Sequence, residues 1–280
     1  MTLVKESSRF ASELRQWRTS RRLSQLELAI RAGTTQRHLS FLERGRSRPG
    51  KTILIRLAEA LELPLRQRNE LLLAAGYAAA YTESAFDSGA LQPVREALER
   101  ILVGHLPFPA VVVRPYGEIV AANVAIESLT SQASPALLQP PVNVLRLALH
   151  PEGLAPRIEN LAEWGRHITE SLRARALRNP DPRLDTFVEE LESYVPPMHA
   201  DAGHLGFAVP LCLRCEGGEL HLISTLTSFA TAVDITLSEL QLEAFLPADQ
   251  PSAAFLLRTH DARRDPTRVF WESAPQKRPR

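Results

Sequence analysis

At 280 residues, 44% hydrophobic and 23% charged, the chain has the make-up of an ordinary globular protein and the length of two domains. Its apolar runs, such as residues 110–113, are too short to cross a bilayer, its first ten residues lack the apolar core of a secretory leader, and two cysteines cannot form a disulfide framework. No membrane partner is expected, and the expected setting is cytoplasmic. The formal net charge of +1 hides a division: residues 1–77 hold 15 Lys and Arg against 7 Asp and Glu, residues 78–257 hold 11 against 22, and residues 258–280 hold 7 against 3. A basic head followed by an acidic body points to an anionic partner for the head, nucleic acid first among them.

The head reads as short helices. Residues 8–22 place Phe10, Leu14 and Trp17 on one stripe. Ser24-Gln25-Leu26-Glu27 has the form of a capping box, opening a second helix with Leu26, Ala29 and Ile30 as its apolar face and Gly33 as its stop. Thr34 caps a third helix over residues 35–43, with Leu39 and Leu42 turned inward and Gly45 after it. A fourth helix covers residues 51–61, and Pro64 opens a fifth that Gly76 closes. Residues 78–90 turn small, polar and acidic and read as a linker.

The body alternates strand and helix signals. Residues 91–103 form an amphipathic helix; Ala110-Val111-Val112-Val113 and Ile119-Val120-Ala121 form a hairpin across Pro115 to Glu118. Helical stretches follow over residues 142–149, 157–178 and 183–194. A second hairpin joins residues 205–214 and 219–227 through Glu216-Gly217-Gly218, and residues 237–245 read as a closing helix. That order describes an α+β domain with an antiparallel sheet, residues 91–257, followed by a solvated basic tail over residues 258–280.

Two resemblances follow. Leu23-Ser24-Gln25-Leu26-Glu27-Leu28-Ala29, then Gly33-Thr34-Thr35-Gln36, then Leu42-Glu43-Arg44-Gly45 and Pro49, resemble the Xre-type, lambda-repressor-like helix-turn-helix domain, here residues 1–77. It implies a five-helix, all-α unit whose third helix enters the major groove of double-stranded DNA. There Thr35, Gln36 and Arg37, with Ser40 and Phe41 a turn later, face base edges. Gln36 suits adenine, Arg37 guanine and Phe41 a thymine methyl. Gln25, Arg44, Arg46, Arg48 and Lys51 are expected on phosphates. A merely solvated basic face, with Glu43 neutralising Arg44 or Arg46, is the bland alternative, and His38 serves a surface role as readily as a DNA contact.

In the body, the run 141–146, His150-Pro151-Glu152-Gly153-Leu154, Asn160-Leu161-Ala162-Glu163-Trp164 and Phe245-Leu246-Pro247-Ala248-Asp249 resemble the MmyB-like, PAS-like ligand-binding domain. This implies a mostly apolar pocket between sheet and helices, with Asn143, Arg146, His150, Arg157, Asn160 and Trp164 as candidate ligand-binding residues. An arginine holding a carboxylate would favour a small apolar or amphipathic ligand such as a fatty acid. Arg146, Arg157 and Glu163 can equally form a structural ion-pair network, with Trp164 in the core. No cofactor is required, and no residue specifies haem or flavin.

Cys212-Leu213-Arg214-Cys215 lacks a second ligand pair, His199 and His204 fit no zinc spacing, and Glu189, Glu190 and Glu192 read as a solvated face. No GxSxG, Walker loop or GxGxxG occurs, so no enzyme and no metal are expected. The expected whole is a dimeric, ligand-modulated transcriptional regulator. The alternative is a DNA-associated adaptor that uses the PAS-like domain for docking.

Overall fold

In the computed structural model, residues 2–197, 209–216, 218–229 and 231–272 are described, with side chains from residue 9 onward. The chain divides into two compact units: Met1–Ser84 with Leu177–Asn179 and Ala230–Ser238, and Ala85–Ala176, Pro180–Phe229 and Glu239–Arg280.

The first unit is helical: α1 (Thr2–Ser20), α2 (Gln25–Arg31), α3 (Gln36–Glu43), α4 (Lys51–Ala60) and α5 (Leu65–Ala74). Phe10 and Leu14 of the α1 stripe are buried with Leu28, Leu39, Leu42, Leu54, Leu57 and Leu72, while Trp17 packs at the edge. Ser24 caps α2, its hydroxyl accepting from the Glu27 amide at 3.1 Å, but Glu27 turns to Arg31 at 2.7 Å instead of closing the box. Two apolar stripes compete on α2. Leu28 and Ala29 go inward, and the expected face is corrected, with Leu26 52% and Ile30 69% exposed. Gly33, at φ +63, makes the turn that drops α3 across α2, a conformation that costs a side-chain-bearing residue but not glycine. The cap of α3 is Thr35, accepting from the His38 amide at 3.1 Å, rather than Thr34, whose hydroxyl bonds His38 Nδ1 at 3.0 Å.

Part of the stretch expected to be a linker is held down. Asn69 of α5 accepts from the amides of Ala80 and Tyr81 and donates to the Tyr81 carbonyl at 2.8 Å. Further on, Arg95 donates to the carbonyls of Phe86 and Ser88.

The second unit contains α6 (Gln92–Gly104), β1 (Ala110–Val113), β2 (Ile119–Asn123), α7 (Glu127–Thr130), α8 (Val144–Leu149), α9 (Leu161–Arg178) and α10 (Pro182–Glu192). It continues through β3 (Leu211–Cys215), β4 (Gly218–Ser228), β5 (Gln241–Pro247), α12 (Gln250–Asp261) and β6 (Val269–Trp271), while α11 (Ile235–Glu239) falls in the first unit but for its last residue. The strands form one antiparallel sheet in the order β3-β4-β5-β1-β2-β6. One face packs Val111, Val113, Leu213, Leu222 and Phe245 against Leu147, Leu149, Trp164, Phe187 and Leu191 of the central helices. Against the strands also lies α6, pinned where the buried Asn123 donates to the Leu102 and Phe108 carbonyls.

Two expectations are corrected. Residues 237–245 are not one helix, because the chain passes from α11 into the central strand β5. The basic tail is not wholly a solvated extension: α12 runs to Asp261, and Val269–Trp271 pair as β6 with β2. Residues 205–208 of the second hairpin and 273–280 of the tail lie outside the described residues.

Candidate functional site

The α2–turn–α3 corner gathers the head's candidate residues. Gln36 and Arg37, in the first turn of α3, are exposed, as is the Thr35 cap; Ser40 and Phe41 follow one turn on, half-buried. Phe41 carries two cations: the guanidiniums of Arg37 and Arg44 each lie 5.5 Å from its ring centre. Arg44 is held further by the Ser40 carbonyl at 3.0 Å and hydroxyl at 2.8 Å. Arg46 and Arg48, on the following turn, and Lys51, which begins α4, are exposed. The helix therefore presents an amide, a planar donor fork and a ring edge along one side, with further cations beyond its end. These are groups that read base edges and bind phosphates.

Glu43 does not neutralise that surface. Its side chain is 2% exposed, and its two oxygens take Arg18 Nε at 2.6 Å and Nη2 at 3.0 Å. The hydrogen bond to Glu43 raises the already high Arg18 pKa, and Arg18 also donates to the Leu23 carbonyl at 2.8 Å. Gln25 joins this bracket, donating to Glu43 at 2.8 Å, so its expected phosphate contact must be made while one amide hydrogen is held. α1, α2 and α3 are thus locked by one buried carboxylate.

In the body, a narrow cavity of about 30 Å³ lies between the sheet and the central helices. Ile126, Leu129, Leu145, Leu147, Leu154, Trp164, Ile168, Leu211 and Phe245 are among its apolar walls, and Glu243 of β5 faces them. Glu243 is half-buried and keeps an outlet to solvent, yet its apolar surroundings push the carboxyl pKa up to about 7.

Of the six body candidates, only Trp164 lines this cavity. Asn143 caps α8, accepting from the Leu145 and Arg146 amides at 3.0 Å, and donates to the Tyr116 carbonyl. Arg146 forms a bidentate pair with Glu190 at 2.6 and 2.7 Å and lies over Phe187, which leaves its fork occupied. His150 accepts from the Glu152 amide and meets the Tyr194 ring edge-on. Arg157 donates to the Leu129 carbonyl and lines a separate open groove with Arg263, while Asn160 ties to Pro210 and Cys212. The four polar side chains that were expected to converge with Trp164 and Asn143 are spread over loops and helix ends.

A family model, the MmyB-like transcription regulator ligand binding domain, matches residues 94–258, more than half of the chain. The chain belongs to this family. A helix-turn-helix model matches residues 14–67. An uncharacterized HTH-type transcriptional regulator, y4dL of Sinorhizobium fredii, is 38% identical over 60 residues, which is 21% of this chain and 31% of that protein. The chain thus spans about a third of the length of the curated relative it matches. Among solved structures, the clp gene regulator ClgR from Corynebacterium glutamicum is 26% identical, covering 36% of this chain and 95% of that one at a TM-score of 0.23.

In this MmyB-like regulator, burial pushes both thiols, Cys212 and Cys215, above their usual pKa, which keeps them protonated. Among the described residues, no group of three or more His, Cys, Asp or Glu could hold a metal, and no helix is long and apolar enough to cross a membrane. His199 and His204 lie outside the described residues. Sequence reasoning missed two residues. Arg18 carries a visible signal, a charge continuing the Phe10–Leu14 stripe at i+4. Glu243 was hidden by the helical reading of its strand.

Proposed function

We propose that this MmyB-like chain is a sequence-specific DNA-binding transcriptional regulator without enzymatic activity. It works as a homodimer in the cytoplasm, its DNA affinity set by a small apolar or amphipathic molecule taken into the sheet–helix cavity. The observation that carries the first half is the side of a capped α3, inside a helix-turn-helix, on which exposed Gln36, Arg37 and Arg44 surround the half-buried Phe41. Dimerisation is required because one such helix covers a half-site, and paired half-sites lie about 34 Å apart along the duplex. The cavity supports the second half through its apolar lining and its place between sheet and helices. At about 30 Å³ it is too small for such a molecule as it stands, so a ligand acts by binding a widened state more tightly than this one.

The test separates base reading from phosphate binding. On a duplex selected from random sequence, Arg37→Ala should cost about 1–3 kcal/mol and relax preference at one position. Arg46→Ala should weaken all duplexes alike and lower the salt dependence by one phosphate contact. An equal, sequence-independent loss for both variants contradicts base reading by α3.

A further inference from the structure

We infer that the cavity takes a lipophilic molecule whose polar end is a hydrogen-bond donor, a primary amine above all, with Glu243 as the acceptor; this rests on the cavity being the ligand site. Glu243 stands on β5 across from Val111 of β1 and Leu226 of β4, two residues before Phe245, which places it on the helix-covered face of the sheet. Among the described residues its carboxyl group has no hydrogen-bond or ion-pair partner, and no second titratable group lines the cavity. Of the other lining side chains with a polar group, Thr130 donates to the Ile126 carbonyl at 3.2 Å, and Trp164 adds a neutral indole N–H. The remaining walls, from α7, α8, α9 and β3, are apolar.

A desolvated carboxyl with free acceptor oxygens is stabilised by a donor that enters with the ligand, most strongly by a charged one. A fatty acid meets the opposite situation. Its carboxylate would lie beside Glu243 with no cation in the lining, so the two acids would have to share a proton. The arginines expected to receive it do not line this cavity: Arg146 is paired with Glu190, and Arg157 lines the separate open groove. Ile126, Leu145 and Ile168 are half-buried, so the wall has side chains that can swing aside for an alkyl tail. Leu226, across from Glu243 on β4, is exposed.

The experiment is calorimetric titration of the full chain with decylamine, decanoate and decanol, each below its aggregation threshold, using wild type and the isosteric Glu243→Gln. Thermal melting checks that the variant folds. Decylamine should bind at least about tenfold tighter than decanoate at pH 8, the margin of a charge-assisted hydrogen bond. Its affinity should rise from about pH 6 to about pH 8 as Glu243 ionises, because no other lining group titrates. Glu243→Gln should abolish that pH dependence and weaken decylamine about tenfold, with decanol nearly unaffected. Decanoate binding tightest, or decylamine binding equally to both proteins as it would on an acidic surface, overturns the donor-end assignment while leaving the cavity as a site for apolar chains. Failure of all three probes, decanol included, overturns the cavity reading as well.

Discussion

Two carboxylates, Glu43 and Glu243, decide much at the residue scale. Glu43 lies in the basic unit with both oxygens on Arg18 and a third bond from Gln25. Removing the acceptor leaves a largely buried guanidinium unpaired, so Glu43→Leu should cost about 3 kcal/mol in chemical unfolding, whereas Arg18→Leu with Glu43→Leu should recover part of it. A loss of under about 0.5 kcal/mol for the single variant would mean the pair behaves as a surface one. Glu243 has the opposite character, a carboxyl held above the usual carboxylate range by its apolar surroundings. A raised folded pKa favours the protonated form, so its contribution to stability is fully present below the unfolded value near 4.5 and is lost as pH rises through about 7. Allowing for its outlet to solvent, urea unfolding should show wild type losing roughly 1–3 kcal/mol relative to Glu243→Gln between about pH 5 and pH 8. A constant difference across that range contradicts the buried carboxyl. Arg37, Arg44 and Phe41 were legible because their spacing on a short helix is local, but Glu243 depends on which strands flank it.

At the scale of elements, the head was readable almost throughout. Caps, glycine stops and apolar stripes are local signals, and they located α2 to α5 to within a residue or two, whereas α1 starts at Thr2, well ahead of the expected start at Ser8. The errors fell where two local solutions compete, Thr34 against Thr35 as cap and Leu26–Ile30 against Leu28–Ala29 as inner face. Thr35→Ala should cost about 1 kcal/mol of unit stability and weaken DNA binding irrespective of sequence, because it loosens the turn that holds Gln36 and Arg37. Retained stability in thermal melts would transfer the cap back to Thr34. The body was less legible. Residues 237–245 carry apolar spacing that suits a helix, yet β5 is claimed by pairing with β1 on one side and β4 on the other. Likewise Val269–Trp271, three residues in a basic stretch, become a strand only through β2. Sheet pairing is non-local, and no window of sequence contains it.

For the whole molecule, a net charge of +1 conceals a basic helix-turn-helix unit and an acidic body carrying twice as many carboxylates as cations over residues 78–257. Steep weakening of DNA binding with salt should therefore come from Arg44, Arg46, Arg48 and Lys51, the body adding only repulsion. The family and both folds follow from patterns spread along the chain, whereas the lining of the cavity does not, since Trp164 alone of the six expected residues reaches it. The most direct test of ligand-modulated DNA binding is the affinity of the full chain for its selected duplex, with and without a saturating amount of whichever C10 probe binds the cavity most tightly. Ligand-coupled regulation predicts a change of at least about fivefold, in either direction, with the same factor appearing in the probe's affinity for the DNA-bound protein. Unchanged DNA affinity with the cavity demonstrably filled would contradict it.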